Sequence, residues 1–265
     1  MHDTLNSLVE RAIAGRPRPL EFYLREHSRL PGPRANLELA NDVGSLLAAA
    51  ADKHPDEVRS LINYFATGDR KQIAGNTPAE FIMLCGVIAA GTCAVVQPEW
   101  REKTLEMLSY YACSPYWRIR EGVAMAYQHL LSADQQTVIA SLKRLAVEGN
   151  YLQQRAAIAA VAEPHLLFND EAIQDAVQLQ RVILENSRRA PSAERKLEDF
   201  RVLRRALGYT LSVITAAAPE QGFALMRECA TWNDEDITWI LRENLKKKRL
   251  AKFSQDTALV ARLLA

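Results

Sequence analysis

The sequence predicts an all-α fold, a right-handed α-solenoid of antiparallel helix pairs running as one domain through residues 1–265. Three observations predict it. A Trp-x-x-Arg-Glu phrase occurs twice, in "SPYWRIREGVAMAYQHLL" (114–131) and in "DITWILRENLKKKRL" (236–250). Apolar residues recur at helical spacing along the chain, with no sustained period-two alternation. Gly and Pro number only 11 each, fewer turn residues than a sandwich or barrel of this length would need.

The doubled phrase sets a repeat register. With Arg120 of "RIREGVAMA" as anchor, "QQRAAIAAVAEPHLL" places Arg155 at the same point and Ile158 opposite Val123. "FRVLRRALGYTLSV" places Arg204 there, and "WILRENLKKKRL" places Arg242 there, with Leu207 and Leu245 at the apolar position. The steps are 35, 49 and 38 residues, and counting back 35 from Arg120 reaches Cys85 in "FIMLCGVIAAG". A unit of this length holds two helices. One pair cannot bury its apolar stripe alone, whereas stacked pairs can.

Each phrase is followed by a turn signal and a second amphipathic run. The signals are "SAD" after Leu131, "FND" after Leu167 and "PEQ" after Ala218. Ser132, Asn169 and Pro219 are therefore expected at helix starts, where a hydroxyl or amide accepts from unpaired N–H groups and proline needs none. "HPDEVRSLINYFATG" and "PEWREKTLEMLSYYAC" read the same way, and the clearest repeats span 78–250, with less regular helices over 1–77. The apolar run "FIMLCGVIAAGTCAVV" (81–96) is 16 residues, short for a membrane span and expected as a buried helix.

Composition narrows the function classes. Hydrophobic residues make up 48% and the net charge is +1, a globular composition whose global charge argues neither for nor against nucleic acid. Cys85, Cys93, Cys113 and Cys229 form no C-x-x-C pair and have no histidine at zinc spacing, so no metal and no cofactor are expected. They are expected as reduced core or near-core thiols of a cytoplasmic protein. The N-terminal stretch carries acids and lacks a long apolar run, unlike a signal peptide, and no membrane partner is expected. His2, His27, His54, His129 and His165 are scattered. Phosphate-loop, dinucleotide-binding and nucleophile-elbow motifs are missing from the sequence, so it assigns no catalytic activity.

Two basic runs interrupt the pattern. "ENSRRAPSAERKLEDF" (185–200) carries Arg188, Arg189, Arg195 and Lys196, and "LKKKRLAKF" carries Lys246, Lys247, Lys248, Arg249 and Lys252. The first reads as a solvated loop or a basic contact loop. The second suits a helix C-terminus or a phosphate contact.

The register resembles the HEAT-like α-solenoid class over roughly residues 78–250, where an interior arginine recurs between apolar positions. That resemblance implies a binding scaffold with an extended concave face, and a protein or peptide as partner. Tyr116, Trp117, Tyr127, Tyr151, Tyr209, Trp232 and Trp239 are the candidate aromatic anchors. At four positions the chain is also similar to the DNA alkylation-repeat glycosylases: Trp117 and Glu121 one turn apart, Arg155 in "QRAAI" and Trp239 in "TWILREN". This second resemblance implies DNA as the alternative partner, with release of alkylated bases. Trp117 and Trp239 would face a cationic base, Glu121 would be the catalytic carboxylate, and Arg155 would grip a phosphate. The chain departs from that family in having glutamate where the family has aspartate. It also puts two repeats rather than one between Arg155 and Trp239.

Overall fold

The computed structural model describes residues 2–67 and 74–264. The side chain of His2 and Gly68, the last residue of the "HPDEVRSLINYFATG" run, lie outside the described residues. The fold is all-α, built of packed helices with no strand among the described residues. The chain forms two compact units, Met1–Asp134 and Gln135–Ala265.

The first unit contains α1 (His2–Ile13), α2 (Arg18–His27), α3 (Leu37–Ala50), α4 (Pro55–Thr67), α5 (Pro78–Val96), α6 (Arg101–Tyr111) and α7 (Trp117–Ala133). Its core is built around α5. Thr77 caps this helix by accepting from the Glu80 N–H at 3.3 Å, and Pro78 opens it. Nearly every side chain from Glu80 to Ala94 is buried, because α2, α3, α4, α6 and α7 all pack on α5. A helix apolar on all sides needs neighbours on all sides. By length and composition α5 could also cross a membrane, and here it is the buried core helix the 81–96 run predicts.

Two glycines let the neighbours approach. A Cβ on Gly86 would lie 2.4 Å from the Ala66 backbone nitrogen, and one on Gly91 would lie 2.6 Å from the Ala126 Cβ. Both are sites of close helix contact, α4 against α5 and α5 against α7.

The second unit contains α8 (Gln135–Glu148), α9 (Tyr151–Val161), α10 (Asp170–Arg189), α11 (Glu198–Ala217), α12 (Pro219–Ala230), α13 (Glu235–Leu245) and α14 (Ser254–Leu263). α9, α11 and α13 lie side by side, with α11 central. α8, α10 and α12 form the second layer, and α14 packs on α12. Asparagine or aspartate starts several of these helices. Asn150 forms a capping box with Gln153, Asn169 accepts from Ala172 N–H at 2.8 Å, and Asp234 accepts from Ile237 N–H at 3.0 Å.

The repeat anchors fall where the register places them, on alternate helices: Cys85 on α5, Arg120 on α7, Arg155 on α9, Arg204 on α11 and Arg242 on α13. Asn169 and Pro219 open α10 and α12 as expected. Ser132 does not open a helix. It sits in the last turn of α7, where its hydroxyl donates back to the Gln128 carbonyl at 3.0 Å, and α8 begins at Gln135. Trp117 is the first residue of α7, whereas Trp239 lies one turn inside α13 because Asp234 starts that helix earlier.

Candidate functional site

Tyr116, Trp117 and Glu121 belong to the first unit. Trp117 is 51% exposed and Glu121, one turn further along α7, is exposed as well. Tyr116, half-buried, precedes the helix and donates its N–H to Ser114 Oγ at 3.2 Å. One face of the Trp117 indole is already covered. The Arg118 guanidinium stands 4.5 Å above the ring centroid. The same group is otherwise buried. It donates to Glu80 Oε2 at 3.3 Å, to Asn76 Oδ1 at 3.1 Å and to the Gly32 carbonyl at 2.6 Å. The side chains of Arg118 and Glu80 are 6% and 0% exposed, so this pair is a buried tie between α7, the start of α5 and the loop before α3. Arg120 works locally, donating to the Ser114 carbonyl at 2.6 Å across the α6–α7 turn.

The other predicted site residues belong to the second unit. Arg155 is half-exposed on α9, and Trp239 is half-exposed on α13, with α11 between the two helices. Trp239 packs against Gly208 of α11, where an added Cβ would meet the ring at 3.1 Å. Arg204 lies 4.1 Å above the Trp239 ring and pairs with Asp236 at 2.8 Å. Arg195, from the basic loop, pairs with Asp234 at 2.8 Å and Asp236 at 3.1 Å, and donates to the Ala190 and Arg188 carbonyls. The 185–200 run therefore spends Arg195 on fastening itself to the start of α13. Arg188 and Arg189 stay exposed at the end of α10. Arg188 stacks on Trp232 at 5.1 Å, and Arg189 meets Glu185 at 3.4 Å.

The outer face of α11 joins these features. Arg201, Arg205 and Tyr209 are exposed at four-residue intervals, a straight stripe on one helix face. The basic run after α13 folds over its end. Arg249 stacks 4.5 Å above Tyr209 and donates to its hydroxyl, while the Lys247 ammonium is 5.8 Å from the same ring. Lys246 is paired with Glu243 at 2.5 Å, and this hydrogen bond and charge hold the Glu243 carboxyl below the usual carboxylate range. Lys248 is exposed at the start of a 3-10 turn. No described residue forms an ion pair with Arg201, Lys247, Lys248 or Lys252. At the far edge, Tyr151 of α9 donates to Glu194 and packs edge-on against Phe200 at 5.3 Å. Burial, then the Glu194 hydrogen bond, pushes its hydroxyl pKa up to about 12.

The structure thus gathers Trp239, Tyr209 and the 246–249 run with Arg201, Arg204 and Arg205 around α11. Arg201 and Arg205 carry no repeat signature, and the apolar register passes over them. Their i, i+4 spacing with Tyr209 was the available signal. The Arg195 pairings span 39 and 41 residues and left no local trace. Among the described residues, no group of three or more His, Cys, Asp or Glu is placed to hold a metal ion.

No protein-family model matches the chain, and no curated protein matches it. Among solved structures it is similar to the designed armadillo repeat protein YIII(Dq.V1)4CPAF in complex with the peptide (KR)4. That match has 13% identity and a TM-score of 0.41, and covers 91% of this chain and 98% of the other.

Proposed function

We propose that this protein is a HEAT-like binding scaffold whose α9–α11–α13 face takes an extended acidic segment of a partner protein. The observation that carries this reading is the exposed Arg201–Arg205–Tyr209 stripe, flanked by Arg249 and Lys247. Residues 201–252 hold ten Lys and Arg against six Asp and Glu, so complementarity favours carboxylates. Tyr209, steadied by cations on its ring, offers a rigid amphipathic anchor. Three helices about 8–10 Å apart give a face roughly 20 Å across, which about six extended residues would cross.

Fluorescence anisotropy with a labelled Glu-Leu repeat peptide tests the proposal, beside the Lys-Leu counterpart and a labelled DNA duplex. The acidic peptide should bind, the basic one should not, and the double variant Arg201→Glu, Arg205→Glu should lose at least about tenfold in affinity. Equal binding of both peptides would overturn the reading. Preference for the duplex, with release of base from alkylated DNA that Glu121→Gln abolishes, would install the DNA reading in its place.

A further inference from the structure

A second feature lies in the first unit and does not depend on the α11 face. Between α4 and α6, above α5, there is a cavity of about 300 Å³, the small end of the range for ligand pockets. Its walls are Ile62, Ala90 and Met107, and its rim carries Arg59, Lys103 and Glu99. Trp100 lines it too. This residue is 6% exposed, and its indole Nε1 is buried with no acceptor among the described residues. Arg59 stacks 4.7 Å above the same ring, which leaves the edge N–H groups of its guanidinium free of the aromatic face. No described residue forms an ion pair with Arg59 or Lys103.

We infer that this cavity binds a small organic monocarboxylate with an apolar body. The carboxylate pairs with the Arg59 guanidinium, a charge-assisted arrangement, with Lys103 adding a second positive charge. The body of the ligand rests on Ile62, Ala90 and Met107. Glu99 at the rim limits the net charge of the lining to +1, so a single carboxylate is matched better than a dicarboxylate or inorganic phosphate.

The test follows the Trp100 indole Nε1–H cross-peak in 15N-labelled full-length protein, assigned by its loss in Trp100→Phe. The probes are 4-phenylbutyrate, the neutral 4-phenylbutyramide and inorganic phosphate. Phenylbutyrate should shift this cross-peak saturably, with an affinity at least about tenfold above that for the amide or phosphate. Arg59→Gln, a substitution at an exposed side chain, should remove that advantage while leaving the rest of the spectrum folded. The inference is overturned if phenylbutyrate leaves the cross-peak in place, if the amide shifts it equally, or if Arg59→Gln binds as tightly as the parent. None of these outcomes bears on acidic-peptide binding at α11.

Discussion

Removing either partner of the Arg118–Glu80 pair leaves a buried charge without its counter-ion. Glu80→Ala or Arg118→Ala should therefore cost about 3–5 kcal/mol, read as a large fall in the urea midpoint. An unchanged midpoint would show that the pair is incidental. By contrast, the exposed Arg205–Glu198 pair at 3.1 Å should contribute less than about 1 kcal/mol. The thiols give a second residue-level prediction. Burial pushes Cys93 and Cys229 up to about 12, and Cys85 higher still. Native protein treated with a thiol reagent at pH 8 should therefore label Cys113 first, and the other three only on unfolding. A raised folded-state pKa stabilises the fold below the unfolded thiol value, about 8.5. That contribution is lost as pH climbs from there toward 12, so stability should decline across this alkaline window. The sequence did expect all four cysteines in or near the core. Cys113 departs from that because it follows α6 in an exposed turn. The Arg118–Glu80 tie was not legible, because its partners, Glu80 at the start of α5 and Gly32 in the loop before α3, are 38 and 86 residues away.

At the scale of elements, glycine decides how closely helices approach. In an exposed helix, Gly→Ala stabilises by up to about 1 kcal/mol. At Gly91 the new methyl would meet the Ala126 Cβ at 2.6 Å and its Cα at 2.7 Å. Gly91→Ala should instead destabilise, by about 1–3 kcal/mol from overpacking between α5 and α7, and thermal melting would show the sign. A higher melting temperature would mean that the two helices are less tightly apposed than described. Element order was largely legible in the sequence, because the apolar register and the Asn and Pro starts act locally. Ser132 shows the limit. A serine before a turn reads equally well as a helix start or as a last-turn residue bonded to the carbonyl four back, and nothing nearby distinguishes the two. In the repeat register Trp117 and Trp239 hold matching positions, but Asp234 captures the start of α13 and moves Trp239 a turn inward.

On the scale of the whole molecule, the repeat register was visible because stacking demands the same apolar positions in each pair. The proposed binding face was not, because Arg201, Arg205 and Tyr209 form a stripe only once α11 is helical. The 246–249 run joins them only when the chain turns back after α13. Binding that depends on this stripe should be ionic. Affinity for an acidic peptide should drop as salt shortens the screening length from about 10 Å at 0.1 M to about 3 Å at 1 M, and salt-independent binding would point to an apolar site elsewhere. The most direct measurement is a cross-linking map with a Glu-Leu repeat peptide that carries a photo-reactive group at its centre. The account predicts adducts concentrated on α11 and on residues 246–252, lost in the Arg201→Glu, Arg205→Glu variant. Adducts spread over the chain, or concentrated in the first unit, would contradict it.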